Sequence, residues 1–433
     1  MLESIRNVFK IPELKKKILF TALMLILYRL GSFIPTPGVS GEALKAFFSD
    51  KGQNSIFGLF DLFVGGNFER ASVFALGIMP YITSSIVLQL LGSIIPYFEK
   101  LRKEGAEGQK KLTQITRYGT IIIGTFNAIG IAVFLQSMPN VVHSPGVLFT
   151  FTTVVTMVTG TMVIMWLGEQ ITENGIGNGI SLIIFAGIIA RYPQGFIQMF
   201  QMVKTGTMQY LTAIIVAALM IAITGAVILV TEAIRKINVQ YAKRVIGRKI
   251  YGGQSTHIPL RVNSAGVIPI IFAQSVIMFP RTFATFVPNS AVSEFITRTL
   301  SPGHALYTVL YMGLIIFFAY FYTAIAMNPV EMAENMKKHG GYIPGILPGK
   351  NTANYINNIL IRITLPGAIF FAIIAVIPEF MSKYANLPFY FGGTGLIIIV
   401  GVALDTLKQI ESHLVMRHYD GFMKKGKLRG RSS

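Results

Sequence analysis

Few side chains in this sequence have the types and spacing that covalent chemistry needs. There is no cysteine among the 433 residues, so the chain holds no disulfide framework, no thiolate metal site and no cysteine nucleophile. Six histidines, at 143, 257, 304, 339, 413 and 418, form neither an HExxH nor a pair on one helical face. Two glycine-rich strings invite comparison with phosphate loops. The first, GEQITENGIGNGIS (168–181), lacks the GxGxxG spacing and joins two apolar runs with no strand before it. It reads as a tight turn whose glycines permit positive φ. The second, GFMKKGKL in the tail, has Leu428 where a Walker loop requires Ser or Thr. No nucleophile–base or metal constellation supports a membrane enzyme.

What remains is hydrogen bonding by uncharged polar residues set in apolar runs. These are Thr83, Ser84, Ser85 and Gln89, then Asn127, then Gln274 and Ser275. They serve either as ordinary ties between helices, worth roughly 0.6–2 kcal/mol each, or as a seam of weak contacts that can open sideways. The ionisable groups Arg29, Glu169, Glu232 and Asp405 fall near the ends of the apolar runs. Ion-coupled transporters keep such groups at mid-depth. Their lack there counts against a solute transporter, the alternative function class.

The elements that carry these residues are membrane spans. The chain is 52% hydrophobic and 13% charged, with mean hydropathy +0.58, which describes an integral membrane protein. Apolar runs at about 18–34, 71–95, 119–138, 147–168, 179–200, 210–231, 264–280, 304–327, 359–380 and 393–412 predict ten spans, since a crossing takes about 20 residues. PTPG (35–38) follows the first run in place of a small-residue cleavage site, so that run reads as an uncleaved span. Ahead of the second span, Ile56 to Val64 is as apolar but about half the length, and ends at Gly65-Gly66. Such a segment either rests at the outer interface or folds back inside protein, because its backbone ends cannot face lipid.

The net charge of +19 is concentrated on one side. Basic residues cluster in 1–17, 99–117, 232–263, 328–358 and the tail. Lys45, Lys51, Arg70, Arg191, Lys204, Arg281, Arg298 and Lys383 fall on the other. That asymmetry predicts that both termini are cytoplasmic. Five spans on either side of 201–209 give halves that enter the membrane in opposite senses. The expected organisation is a cytoplasmic segment (1–17), an N-terminal half (18–200), a hinge loop (201–209), a C-terminal half (210–412) with polar cytoplasmic loops at 232–263 and 328–358, and a basic cytoplasmic tail (413–433). NSAGVIPIIF in span seven echoes FALGIMPYIT in span two, which predicts similar kinked helices at corresponding places.

Several long strings carry a resemblance: GSFIPTPG (31–38), RASVFALGIMPYITSSI (70–86), TGTMVIMWLGEQITENGIGNGIS (159–181), YAKR (241–244), QSTHIPLRVNSAGVIP (254–269), FFAYFYTAIAMNP (317–329) and PFYFGGTGLIIIV (388–400). In this order they resemble the bacterial SecY family along essentially the whole chain. The resemblance implies an all-α integral membrane fold, a ten-helix clamshell of two inverted five-helix halves. It also implies a passive protein-conducting channel of the bacterial inner membrane. Such a channel translocates unfolded or nascent polypeptides, recognises signal sequences and releases apolar segments through a lateral gate into membrane lipid. The implied gate residues are the polar residues of spans two, three and seven named above.

The resemblance further assigns Phe57, Gly58, Leu59, Phe60, Asp61, Leu62, Phe63, Val64, Gly65 and Gly66 to a re-entrant plug. It assigns Ile78, Ile82, Ile180, Ile184, Ile271 and Ile398 to a pore ring; the residues alone rank none of these isoleucines above its neighbours. Implied partners are the small membrane subunits SecE and SecG, the SecA motor ATPase and the ribosome. Lys243, Arg244, Arg248, Lys249 and Lys350 are the implied docking residues, with Arg248 and Lys249 matching the family's basic pair. One departure stands out: the second loop reads PGILPG, with Leu347 where the family carries arginine. No cofactor is expected.

Overall fold

The computed structural model of the chain describes residues 11–47, 61, 64–241, 244–246, 249–251, 255–284, 295–296, 299–301, 304–385 and 393–425. In hydrocarbon an isolated span can satisfy its backbone only as a helix, and helices dominate. Among the described residues seven are long and apolar enough to cross a membrane: Ala106–Ser137, Val147–Asn174, Gly179–Lys204, Tyr210–Glu232, Ala305–Lys338, Lys350–Ile377 and Gly393–Leu414. An eighth is the pair Met79–Ile94 and Pro96–Lys103, bent by 100°. Pro96 holds Ile95 extended (φ −99°, ψ 120°), which is the local cause of that bend. The protein is a multi-pass membrane protein.

The chain folds into two compact units. The first comprises Met1–Ile197, Thr282–Ser293 and Val402–Ser433; the second comprises Gln198–Arg281 and Glu294–Gly401. In the first, chain order runs α1 (Pro12–Gly31), α2 (Gly41–Phe47), α3 (Met79–Ile94), α4 (Pro96–Lys103), α5 (Ala106–Ser137), α6 (Val147–Asn174), α7 (Gly179–Ile189) and the start of α8 (Tyr192–Lys204). Helix α5 packs against α3 and α6, and α1 lies on α6 and α7. A core of Leu44, Phe68, Leu76, Ile131, Leu135 and Met157 joins α2 and the turns before α3 to α5 and α6. The 175–178 turn is tight, as its glycines suggest. Asn178 caps α7 by accepting from Ser181 N–H (3.1 Å), and the N–H groups of Ile176 and Gly177 go to Thr21 Oγ1 (3.0 Å) and Gln409 Oε1 (2.8 Å).

The second unit contains the rest of α8, α9 (Tyr210–Glu232), β1 (Ile234–Tyr241), β2 (Arg244–Ile246), β3 (Lys249–Tyr251), β4 (Ser255–Arg261), α10 (Ile268–Ala284), α11 (Ala305–Ala326), α12 (Pro329–Lys338), β5 (Gly341–Tyr342), α13 (Lys350–Ala385) and the first residues of α14 (Gly393–Lys425). Helices α11 and α13 run together, with Tyr320 donating to the Ile361 carbonyl (3.2 Å). Phe318 of α11 meets Phe272 of α10 edge-on at 5.7 Å.

Three expectations need correction. The polar loop 232–263 is largely sheet. Strand β1 pairs antiparallel with β4, from Ile234 opposite Arg261 to Gln240 opposite Ser255, and β5 adds to its other edge. Ile237, Val239 and Tyr241 alternate along β1, and the alternation turns one face inward. Span two does not begin as helix at Ala71. Residues 65–78 form turns and α3 starts at Met79, because Thr36 N–H bonds to Ala71 O (2.7 Å) and Val73 N–H to Ile34 O (2.9 Å). The matched Gly and Pro residues mark helix starts rather than kinks. Elsewhere the polar flanks extend the helices: α5 begins at Ala106, α13 at Lys350, and α14 continues to Lys425.

Candidate functional site

Of the ten positions that the resemblance assigns to a plug, Asp61, Val64, Gly65 and Gly66 are described and all are buried. Phe57, Gly58, Leu59, Phe60, Leu62 and Phe63 lie outside the described residues. The segment is tied to α1 and to the end of α7 through its backbone. Tyr28 donates to Val64 O (3.4 Å), Asn67 Nδ2 to the same carbonyl (2.7 Å), and Arg29 Nη1 to Gly65 O (3.4 Å). Gly65, at φ 76°, rests on α7 so closely that a Cβ would lie 2.6 Å from Gly187 Cα. Only glycine fits that contact.

Charge reinforces the attachment. Arg191 Nη2 lies 2.7 Å from Asp61 Oδ2 and 2.6 Å from Glu69 Oε2. The Arg191 and Asp61 side chains are 8% and 1% exposed, so the pair is screened from solvent. Asp61 Oδ1 accepts from the N–H groups of Phe68 (2.8 Å) and Glu69 (2.9 Å). Burial pushes the Glu69 carboxyl above its ordinary range, and the neighbouring Asp61 charge adds to that push, while Arg191 opposes both. Breaking a buried pair of this kind from one side costs roughly 3–5 kcal/mol. The sequence reading missed Arg191 and Glu69 as partners; the available signal was an arginine set inside the 179–200 apolar run, with acids at 61 and 69 beside the Gly65-Gly66 break.

The six isoleucines divide between the units. Ile78, Ile82 and Ile184 are buried in the first and Ile180 is half-buried there; Ile271 and Ile398 are buried in the second. The polar gate candidates divide likewise. Ser84 donates to Thr116 O of α5 (2.9 Å), and Thr83 to Met79 O on its own helix (3.1 Å). Gln89 Nε2 donates to Ser85 Oγ (3.2 Å), and Asn127 is half-buried on α5. In the second unit Ser275 donates to Ile271 O (2.9 Å). The Gln274 side chain is buried, with no hydrogen-bond partner for Nε2 among the described residues.

The two long polar loops of the second unit share one small core. Ile237, Val239 and Leu260 of the sheet pack with Met336, Ile343, Ile356 and Leu360 from α12 to α13. Arg244 and Lys249 stand on the β2–β3 ribbon, whose register sets Arg244 opposite Tyr251 and Ile246 opposite Lys249. Lys243 and Arg248 lie outside the described residues. Lys350 opens α13 and is exposed, and Leu347 beside it is 72% exposed.

The sequence profile of the SecY family matches residues 72–407. Protein translocase subunit SecY of Escherichia coli strain K12 is 47% identical over 424 residues, 96% of each chain. The proteins of the same name from Halalkalibacterium halodurans and Aquifex aeolicus are 48% and 46% identical, covering 98% of this chain and all of theirs. In fold the chain resembles a protein-conducting channel (TM-score 0.68, 18% identity, 95% and 97% of the two chains). It also resembles Sec61 of the canine ribosome–channel complex (TM-score 0.64, 18% identity, with the same coverage). With a family match over most of its length and relatives this similar along all of theirs, the chain belongs to the SecY family.

Proposed function

We propose that this chain is a passive protein-conducting channel that moves unfolded polypeptides across the membrane and releases apolar segments sideways into lipid. It performs no catalysis of its own, and cytoplasmic partners supply the energy. One observation carries the reading beyond kinship: the largely buried, non-helical stretch at 65–78, tied to α1 and α7 between apolar spans. Irregular backbone at such a place survives only inside protein or beside water. It suits the base of a movable plug formed by 57–66.

The finer architecture follows the same reading. Helix α1 and the 17-residue α10 join the seven long helices and the bent pair as spans, giving ten in two inverted halves with both termini cytoplasmic. Lys15, Lys16, Lys17 and Arg29 dilute the hydropathy of α1 without preventing a crossing, because cations near span ends reach the interface. Ile78, Ile82, Ile180, Ile184, Ile271 and Ile398 form the waist. Stiff apolar side chains keep water and ions out by dewetting and offer a passing chain no hydrogen bonds. Spans two, three and seven form the lateral gate. The 232–263 and 328–358 loops dock a motor ATPase or the ribosome, and two small membrane subunits complete the complex in the bacterial inner membrane.

The test is reconstitution of the chain with its small subunits and motor in vesicles. ATP-dependent entry of an unfolded preprotein is expected. Gradient-driven accumulation of small solutes without preprotein entry would overturn the reading.

A further inference from the structure

We propose that Met199, Met202 and Met208 form a thioether site for a soft monovalent cation, Cu(I) or its congener Ag(I). The site lies in the second unit alone, where α8 turns into α9, and holds whether or not the chain conducts proteins. Met199 and Met202 are three residues apart on α8 and so share one face. The turn that follows brings a third thioether back to them. Met208 N–H bonds to Met202 O (3.1 Å), and Thr207 Oγ1 donates to the same carbonyl (3.0 Å). Gly206, at φ 75°, bends the chain there. Met208 is buried with Val216 of α9, and Met199, Met202 and Met220 pack against them together with Val203 and Ala213.

Packing alone does not account for this composition. Methionine supplies four of the seven side chains here, against 19 of the 433 residues in the chain. In a core it fills irregular gaps, yet leucine would fill a helical hairpin at a smaller loss of side-chain entropy. What methionine adds is sulfur. Thioethers select Cu(I), whereas Mg(II) and Ca(II) seek oxygen and Zn(II) seeks imidazole or thiolate. The chain has no cysteine to compete for a soft ion. Among the described residues no three of His, Asp or Glu come together to hold a harder one. The local cation is turned elsewhere: Lys204 lies over the Phe200 ring (5.1 Å), on another face of α8. Met199, Met202 and Met220 are half-buried, which leaves an ion a way in.

Metal retention by the full-length chain, purified in detergent, tests this. The protein is exposed to Ag(I) in chloride-free buffer, or to Cu(I) under reductant, then desalted and assayed for metal. The double variant Met199→Leu, Met202→Leu should retain one ion per chain fewer than the native protein. Leucine conserves the volume, so the metal-free thermal midpoint should stay close to native. An ion that binds only the folded state raises the midpoint, and that rise should appear in the native protein and vanish in the double variant. Met312→Leu, a half-buried methionine on α11, is the control and should lose nothing. Zn(II) should not be retained at this site. Equal Ag(I) retention by the native and double-variant proteins would overturn the proposal. So would an equal loss in Met312→Leu, or Zn(II) retention that the double variant abolishes. If the double variant does not fold, Met202→Leu decides, with at least tenfold weaker retention expected and native retention overturning the site.

Discussion

Gly77 and Gly266 adopt the same left-handed backbone, φ 57° and 63°, each two residues before a helix begins and three before a proline in its first turn. Gly77 leads into α3 and Gly266 into α10, one in each unit. Glycine takes positive φ without steric penalty, and a first-turn proline gives up no intrahelical hydrogen bond. The shared device stops irregular backbone and starts a helix at a fixed residue. Its recurrence at matching places suits two halves of common design.

Gly77→Ala should therefore destabilise the fold by about 1–2 kcal/mol from backbone strain alone. Steric pressure adds to this, because a Cβ there would lie 3.0 Å from Val64 Cγ1. Thermal unfolding in detergent measures the loss; an unchanged midpoint would contradict it.

The buried turn between α6 and α7 yields a cleaner substitution. Thr21→Val keeps the shape and removes the acceptor for Ile176 N–H. An orphaned buried donor costs about 1–3 kcal/mol. Thr21→Ser should retain most of the stability, and equal midpoints for the Val and Ser variants would refute the assignment.

Long spans were legible in the sequence because a run of about 20 apolar residues has few alternatives. Ile237, Val239 and Tyr241 carried the period of a strand, but Asn238 and Gln240 between them and the basic pairs Arg235-Lys236 and Lys243-Arg244 on either side invite reading as loop. The start of α3 was hidden for another reason. Residues 71–78 are apolar enough for a span, and only tertiary bonds to Ile34 and Thr36 draw them out of helix. Arg191 was legible as a charge but not as a partner of Asp61, a pairing 130 residues apart that composition cannot show.

At the docking loops, Arg248→Glu with Lys249→Glu should weaken binding of the motor or ribosome and leave the resting seal intact. Binding by the native protein should fall as salt rises. Leu347→Arg, at an exposed position, should tighten binding by up to about fivefold, the worth of one solvated charge pair. Co-sedimentation at low and high salt checks all three, and equal binding by every variant would remove the loops from docking.

The cysteine-free background lets the lateral seam be locked. Cysteine pairs scanned over Thr83–Gln89 and Gln274–Met278 should include one that oxidises readily, since a disulfide needs Cα atoms roughly 4.4–6.8 Å apart. Insertion of signal sequences should stop in the oxidised channel and return on reduction. Normal insertion through a locked seam would mean that spans two and seven are not the gate.

The central claim is that a polypeptide passes through the waist of this chain, and disulfide capture of an arrested substrate tests it most directly. A preprotein carrying one cysteine is stalled in transit, and channels carrying Ile82→Cys, Ile271→Cys or the exposed-site controls Ile122→Cys and Leu229→Cys are oxidised. The account predicts adducts at Ile82→Cys and Ile271→Cys and none at the controls. Adducts at the controls alone, or equal labelling at all four positions, would contradict it.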